Sequence, residues 1–137
     1  MGLILDSTAI VAAERQGLSA RQMLEKLALQ TGDQEIAISV ITVLELAHGA
    51  ARANSPERLM VRQQFLDELT MGVPIHPVTL PVALHAGRID GESQARGIRI
   101  PLSDLLIGVT ALELGYAVGT ANLRHFSLIP NLPLLPL

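Results

Sequence analysis

Short apolar runs alternate with longer amphipathic stretches along the whole chain. Leu3-Ile4-Leu5 is a continuous apolar run that stops at Asp6-Ser7-Thr8, the pattern of a buried strand followed by a helix start. Ala9 to Arg15 is helical in composition, and Gly17 ends it. Ser19 can cap a helix reaching about Gln30, with Leu24, Leu27 and Ala28 on one face, and Thr31-Gly32-Asp33 reads as a turn. Glu35 to Ile38 predicts a second strand. Ser39 is a good N-cap, with Thr42 three positions on, for a helix running to about Ala53, where Asn54-Ser55-Pro56 breaks it. Pro56 suits the first turn of the next helix, capped by Ser55 and reaching about Thr70.

Val73 to Val78 predicts a third strand, weakened by Pro74 and Pro77 and therefore expected at a sheet edge. Thr79 caps a helix from Pro81 to about Arg96, and Gly97 to Leu102 is a loop. Ser103 is expected to cap the most apolar helix, Asp104 to Leu114, which Gly115 terminates. Tyr116 to Thr120 predicts a fourth strand, Ala121 to Phe126 a loop or short turn, and Leu132 to Leu135 a last short strand. Strands alternate with helices throughout, so the expectation is α/β: a mostly parallel sheet of four or five strands, flanked by helices on both faces in three layers. With no repeat, linker or low-complexity stretch, residues 1–137 read as a single domain.

Composition narrows the chemistry. Phe65, Tyr116 and Phe126 are the only aromatic residues, so the core is built from Leu, Ile, Val and Ala. There is no cysteine, which excludes disulfides and thiolate metal sites; a metal here would be held by oxygen or imidazole. The formal charge is −3, against simple groove binding to nucleic acid but compatible with a nuclease whose acidic residues hold cations. All positive residues except Lys26 are arginine, suited to bidentate contact with phosphate or carboxylate, although high-GC coding produces the same bias. The apolar start lacks a basic leader and is interrupted by Asp6, and Leu105 to Leu112 is far short of a membrane span. The expectation is a soluble cytoplasmic protein with no membrane partner.

In open parallel sheets, ligands bind outside the carboxyl ends of the strands. Asp6 follows the first strand, Asn122 follows the fourth, and Asp104 opens the helix leading into the fourth. Glu45 lies in the helix after the second strand, between Leu44 and Leu46, where an ionised carboxylate costs free energy unless it is paired or metal-bound. Three carboxylates and an amide oxygen form a hard donor set suited to Mg²⁺ or Mn²⁺, and such a site can activate water and neutralise charge on a phosphoryl group. Like charges gathered this closely repel one another without a cation. Gly108, one turn after Asp104, is expected to leave room for metal and substrate. Glu45, His48 and Arg52 are spaced to share a helix face, where His48 and Arg52 could meet a phosphate chain. Ser7 and Thr120 supply hydroxyls beside Asp6 and Asn122.

Each position also has a purely structural reading. Asp6 can simply cap its helix, Asp104 can answer the helix dipole, Glu45 can pair with Arg52 or another arginine across the fold, and Asn122 can be a turn residue. His48 and His125 can be solvent-facing or satisfied by hydrogen bonds. His76, beside the prolines, reads as structural, and Arg88, Arg96 and Arg99 as a solvated face. Convergence of several positions on one sheet edge favours a site.

The order of these motifs resembles the PIN-domain family. Leu3-Ile4-Leu5 with Asp6-Ser7-Thr8 looks like the opening PIN motif, and Ile38 to Gly49 is similar to the second, which carries the helix glutamate. Leu102-Ser103-Asp104-Leu105-Leu106-Ile107-Gly108 resembles the third, and Thr120-Ala121-Asn122-Leu123-Arg124-His125-Phe126 the closing motif. The resemblance spans nearly the whole chain and is greatest to the VapC branch. It implies a PIN-like fold and RNA phosphodiester hydrolysis with Mg²⁺ or Mn²⁺, leaving a 5′-phosphate and a 3′-hydroxyl. Asp6, Glu45 and Asp104 would hold the metal, Asn122 would complete the quartet, and Thr120 would position a ligand or water nearby. Asn122, where the family varies between acid and amide, argues against tight occupancy of a second metal. Ser103 stands where a small alanine is common.

The VapC branch further implies a homodimer silenced by a small VapB-like antitoxin. That partner lays a segment across the groove, and the helices around Ala20 to Leu29 and Glu57 to Leu69 are candidates to receive it. Rival readings are a PIN nuclease with a housekeeping RNA-processing or repair role and no antitoxin, and a non-catalytic PIN-like binding module; retention of Asp6, Glu45 and Asp104 argues against the latter. A receiver domain lacks its late lysine here, and neither a Gly-Lys-Ser/Thr loop nor a Gly-x-Gly-x-x-Gly turn is present.

Overall fold

Every residue of the first strand is buried, because β1 (Gly2–Leu5) lies at the centre of a sheet covered on both faces. The computed structural model describes residues 1–137. Beyond β1 the elements are α1 (Ser7–Arg15), α2 (Ala20–Thr31), β2 (Glu35–Ser39), α3 (Val40–Ala51), α4 (Pro56–Gly72), β3 (Ile75–His76), α5 (Leu80–Ala95), α6 (Leu102–Leu114), β4 (Ala117–Thr120), α7 (Leu123–Phe126) and β5 (Leu134–Pro136). The five strands are all parallel and lie in the order β3-β2-β1-β4-β5. The chain winds outward from β1 through β2 to β3, then returns to the other side of β1. The winding therefore reverses between β1 and β4, and in such folds a crevice opens at that point beyond the carboxyl ends of the strands.

The strand pleat divides the apolar residues into two cores. Leu3, Leu5 and Ile38 point to one face, packing with Ile10 of α1, Met23 and Leu27 of α2, and Phe65 and Leu69 of α4. Ile4, Ala37 and Val118 point to the other, packing with Ile89 of α5, Leu105 and Val109 of α6, and Phe126. Burial on both faces is why β1 reads as an unbroken apolar run rather than an alternating one.

Local signals place most boundaries. Ser19 and Gln22 form a reciprocal capping box at α2, and Ser39, Ser55 and Thr79 cap α3, α4 and α5 through their hydroxyls. Gly115 ends α6 in the left-handed conformation, φ 71°, which costs glycine little. The third strand occupies the expected edge but shrinks to Ile75–His76, since Pro74 and Pro77 bring no N–H to the ladder. The closing segment contains the short helix α7 rather than only a loop.

Two expectations are corrected. Ser103 does not cap α6: the helix starts two residues earlier than expected, at Leu102, Pro101 occupies the cap position without a side-chain bond, and its carbonyl accepts from the Leu105 N–H at 2.9 Å. The buried face of α2 is Ala20, Met23 and Leu27, with Ala28 exposed; packing against α1 and α4 sets the rotation of the helix about its axis.

Candidate active site

Asp6 leaves the end of β1 in extended conformation and caps α1, its Oδ1 accepting from the Ala9 N–H at 3.1 Å. Its main-chain N–H donates to the Gly119 carbonyl at 3.1 Å, tying it to β4. The side chain is 1% exposed. The Thr8 hydroxyl stands 2.9 and 2.8 Å from its two oxygens, and the Thr120 hydroxyl donates to Oδ2 at 2.8 Å. Thr120 is itself fully buried and accepts from the Asn122 N–H at 2.8 Å, so one hydroxyl joins the first and last motifs. Burial pushes the Asp6 carboxyl above the usual range. Hydrogen bonds from Thr8, Ala9 and Thr120 oppose this, and the charge on Asp104 adds to it.

Glu45 lies midway along α3, and the Ser7 hydroxyl donates to its Oε1 at 3.1 Å. Its carboxyl is also raised, first by burial and then by the charges of Asp104 and Asp6, against hydrogen bonding from Ser7 and Ser103. Ser103 lies near Glu45 and does not cap α6. Asp104 reaches the same edge because α6 precedes β4 and runs back across the sheet, so its first turn lies beyond the strand ends. These mutual effects show that Asp6, Glu45 and Asp104 share one electrostatic environment.

Asp104 Oδ2 lies 2.7 Å from His125 Nδ1, and that nitrogen lies 2.9 Å from Asn122 Nδ2. One ring nitrogen cannot both donate to a carboxylate and accept from an amide. The ionised carboxylate has no proton to give, so Nδ1–H donates to Asp104, and Asn122 is better satisfied with its amide oxygen turned to the ring. His125 was legible in the sequence only as solvent-facing or hydrogen-bonded; the structure makes it the partner of Asp104. Its spacing three residues after Asn122, on a short helix, is the one sequence signal for that link.

The supporting positions divide. Ser7 and Thr120 touch the acids directly. His48 is exposed and lines a recess with Ser7 and Glu45. Arg52 is the exposed C-cap residue of α3 and does not line that recess. Two arginines not singled out in the sequence, Arg15 and Arg62, do. Gly108 does not leave room at the site: a Cβ there would collide with Ile129 Cδ1 and press on Leu132 Cδ2 at 3.1 Å. The glycine instead lets α6 close against the C-terminal segment.

The donor set suits a hard divalent cation: three carboxylates, two of them destabilised by burial and by one another's charge. In their present rotamers no three acidic or histidine side chains converge on one ion position, since Asp6 is held by hydroxyls and Asp104 by His125. The chemistry of the donors fits a metal, and side-chain rotation would be needed to ligate it. No helix is long and apolar enough to cross a membrane.

Sheet and site together define a doubly wound α/β domain with an acidic carboxyl-edge site. The chain belongs to the PIN-domain family, whose model matches residues 3–131. Ribonuclease VapC1 of Rickettsia felis is 29% identical over 98% of this chain and 96% of its own length. The tRNA(fMet)-specific endonuclease VapC of Salmonella typhimurium is 34% identical over 69% of this chain and 70% of its own. In the crystal structure of VapBC2 from Rickettsia felis bound to a DNA fragment from their promoter, one chain superposes with a TM-score of 0.84 at 26% identity. That match covers 100% of this chain and 99% of the other.

Proposed function

We propose that the chain is a Mg²⁺- or Mn²⁺-dependent endoribonuclease and the toxin half of a VapBC-like toxin–antitoxin pair. The observation that carries the reading is the buried Asp6 at the end of β1, held by Thr8 and Thr120 and close enough to Glu45 and Asp104 for their charges to act on one another, within a domain whose relatives are named a ribonuclease and a tRNA(fMet)-specific endonuclease. Asp6, Glu45 and Asp104 would hold the ion, which when bound neutralises charge on the phosphoryl group and lowers the pKa of water. Thr8 and Thr120 fix the Asp6 carboxylate, Ser7 orients Glu45, and His125 orients Asp104. Asn122 completes the quartet by setting the His125 ring. His48 and the recess beside Glu45 adjoin the path of the RNA chain.

The partner reading adds a VapB-like antitoxin and a second copy of the chain. Leu59, Met60 and Val61 of α4 and Leu29 of α2 are exposed on the two helices expected to receive the antitoxin, which supports a covered surface there. Cleavage of RNA by purified protein with Mg²⁺ or Mn²⁺, its loss with chelator, and its loss in Asp104→Ala are the expected results. Cleavage that survives Asp104→Ala in folded protein would remove this carboxylate from the site. Growth arrest on induction by wild type and not by Asp104→Ala is the expected sign of a toxin. Cleavage without arrest would favour a PIN nuclease that needs no antitoxin.

A further inference from the structure

The recess beside Glu45 has a composition the acidic quartet does not account for. It is a cavity of about 420 Å³ between α1, α3 and α4, within the range of small-ligand sites and large enough for one nucleotide but not a duplex. Ser7 and Glu45 both line it, so it shares the Glu45 carboxylate with the acidic cluster. Its floor is apolar, with Val11, Phe65 and Leu66. Arg62 and Arg15 line it as well. Arg62 is occupied: it donates to the Gly49 carbonyl at 2.8 Å and lies 3.8 Å from Glu14, which fixes it as a wall and balances the charge of Glu14. Arg15 is exposed, at the last turn of α1, and makes no ion pair or side-chain hydrogen bond. In a chain with net charge −3, an uncommitted guanidinium on the rim of a cavity that adjoins the acidic cluster is placed for an anion.

We propose that this recess is the subsite for the nucleotide next to the scissile phosphodiester of single-stranded RNA, with the base on the Val11–Phe65–Leu66 floor and the flanking phosphate on Arg15. The assignment rests on the ribonuclease reading above and names the part of the substrate that this side of the site holds. Guanidinium matches phosphate in planar, charge-assisted hydrogen bonding. An apolar floor accepts any base face, so the subsite favours an unpaired strand. Arg15 is a binding residue here and not a group that acts on the reacting phosphorus.

The test compares wild type, Arg15→Ala and Arg88→Ala on a short single-stranded RNA that the wild type cleaves, with kcat and KM measured at several salt concentrations. Arg88 is an exposed arginine on α5, so it controls for loss of one positive charge. Arg15→Ala should raise KM about tenfold, the scale of one hydrogen bond to a charged group, and leave kcat within about twofold. It should also flatten the dependence of log KM on log salt by about 0.7, the loss of one phosphate contact on a single strand. Arg88→Ala should do neither. Equal KM and equal salt dependence in the two variants would overturn the assignment. So would an Arg15→Ala variant that loses a co-expressed protein partner while KM is unchanged, which would give the recess to a protein segment. A wild type that cleaves no single-stranded RNA would refute the ribonuclease reading itself, before any variant is compared.

Discussion

Replacing Glu45 with glutamine should make the metal-free protein more stable at neutral pH. Glu45 is held above its ordinary value of 4.5, first by burial and then by the charges of Asp104 and Asp6. Glutamine keeps an acceptor for the Ser7 hydroxyl, now 3.1 Å from Oε1, and removes the charge that the other two acids oppose. Each unit by which a folded-state pKa exceeds its unfolded value weakens folding by about 1.4 kcal/mol once the group is ionised. Glu45 retains contact with solvent, which screens part of this penalty; the expected outcome is a higher Tm for the variant, and each kcal/mol regained would appear as roughly 4 °C for a chain of this length.

The sign follows from linkage. A carboxyl with a raised folded pKa leaves stability intact below 4.5 and removes it as pH rises through the folded value. The Tm difference between Glu45→Gln and wild type should therefore vanish below pH 4.5, open as pH rises, and level off above the folded-state value. Thermal unfolding in chelator across that range measures it. Added Mg²⁺ should raise the Tm of wild type more than that of the variant, because the variant has lost one ligand and part of the repulsion a cation relieves. A variant no more stable than wild type at pH 7.5, or a gap that does not depend on pH, would refute the claim that the site's carboxylates oppose one another.

Three further outcomes are expected. His125→Ala should lower cleavage by about 10- to 100-fold, the usual cost of losing a group that orients a metal ligand, while His125→Gln, which can still donate to Asp104, should recover part of it; parallel Mn²⁺ titration should show the same order of affinity. Gly108→Ala should gain about 1 kcal/mol of helix propensity and lose about 1–3 kcal/mol through overpacking against the terminal methyls of Ile129 and Leu132, a net loss of about 0–2 kcal/mol seen as an unchanged or lower midpoint in denaturant at unchanged slope, whereas a clearly higher midpoint would show that the contact gives way freely. His76→Ala should leave turnover unchanged: His76 ends the short edge strand, with its ring edge-on to Tyr116 at 6.4 Å, so a fall in kcat would give it a role that its position does not explain.

What could be read from the sequence followed the range of the interactions involved. Ser19 and Gln22 announce a helix start because the cap involves residues three apart. Leu3-Ile4-Leu5 announces a doubly covered strand because only that environment favours three consecutive apolar side chains. Pro74 and Pro77 predict the edge position of β3 because each lacks a ladder donor. Asp6, Asn122, Glu45 and Asp104 could be gathered because parallel α/β winding sends every strand end, and the start of every returning helix, to one side of the sheet.

The misreadings have the complementary cause. The rotation of α2 that exposes Ala28 depends on neighbours in α1 and α4. Gly108 looked like open space beside Asp104, but the groups above it, Ile129 and Leu132, arrive after another strand and helix have passed. Arg15 and Arg62 were not singled out because the recess they line forms only when α4 packs across α1 and α3. His125 was ambiguous for the same reason: its partner Asp104 is on a separate element.

Asp6 separates capping from chemistry most directly. It caps α1, as an ordinary structural reading of the sequence allows, but a cap does not require a charge. Asparagine and serine cap helices about as well as aspartate, and neither would place an ionised group at 1% exposure beside two other acids. Stability alone therefore disfavours aspartate at this position, and the charge is what remains to be explained. Asp6→Asn tests this. Its Oδ1 can still accept from Ala9 N–H, and its amide nitrogen, in place of Oδ2, can donate to Thr120 Oγ1, whose proton can turn to Thr8 Oγ1 at 3.3 Å. The fold and the cap should survive, with Tm at pH 7.5 within about 3 °C of wild type, a change of under ~1 kcal/mol. RNA cleavage and the Mg²⁺-dependent rise in Tm should both be lost. A variant that unfolds would make Asp6 chiefly a structural cap, and one that cleaves RNA at near-full rate would remove it from the site.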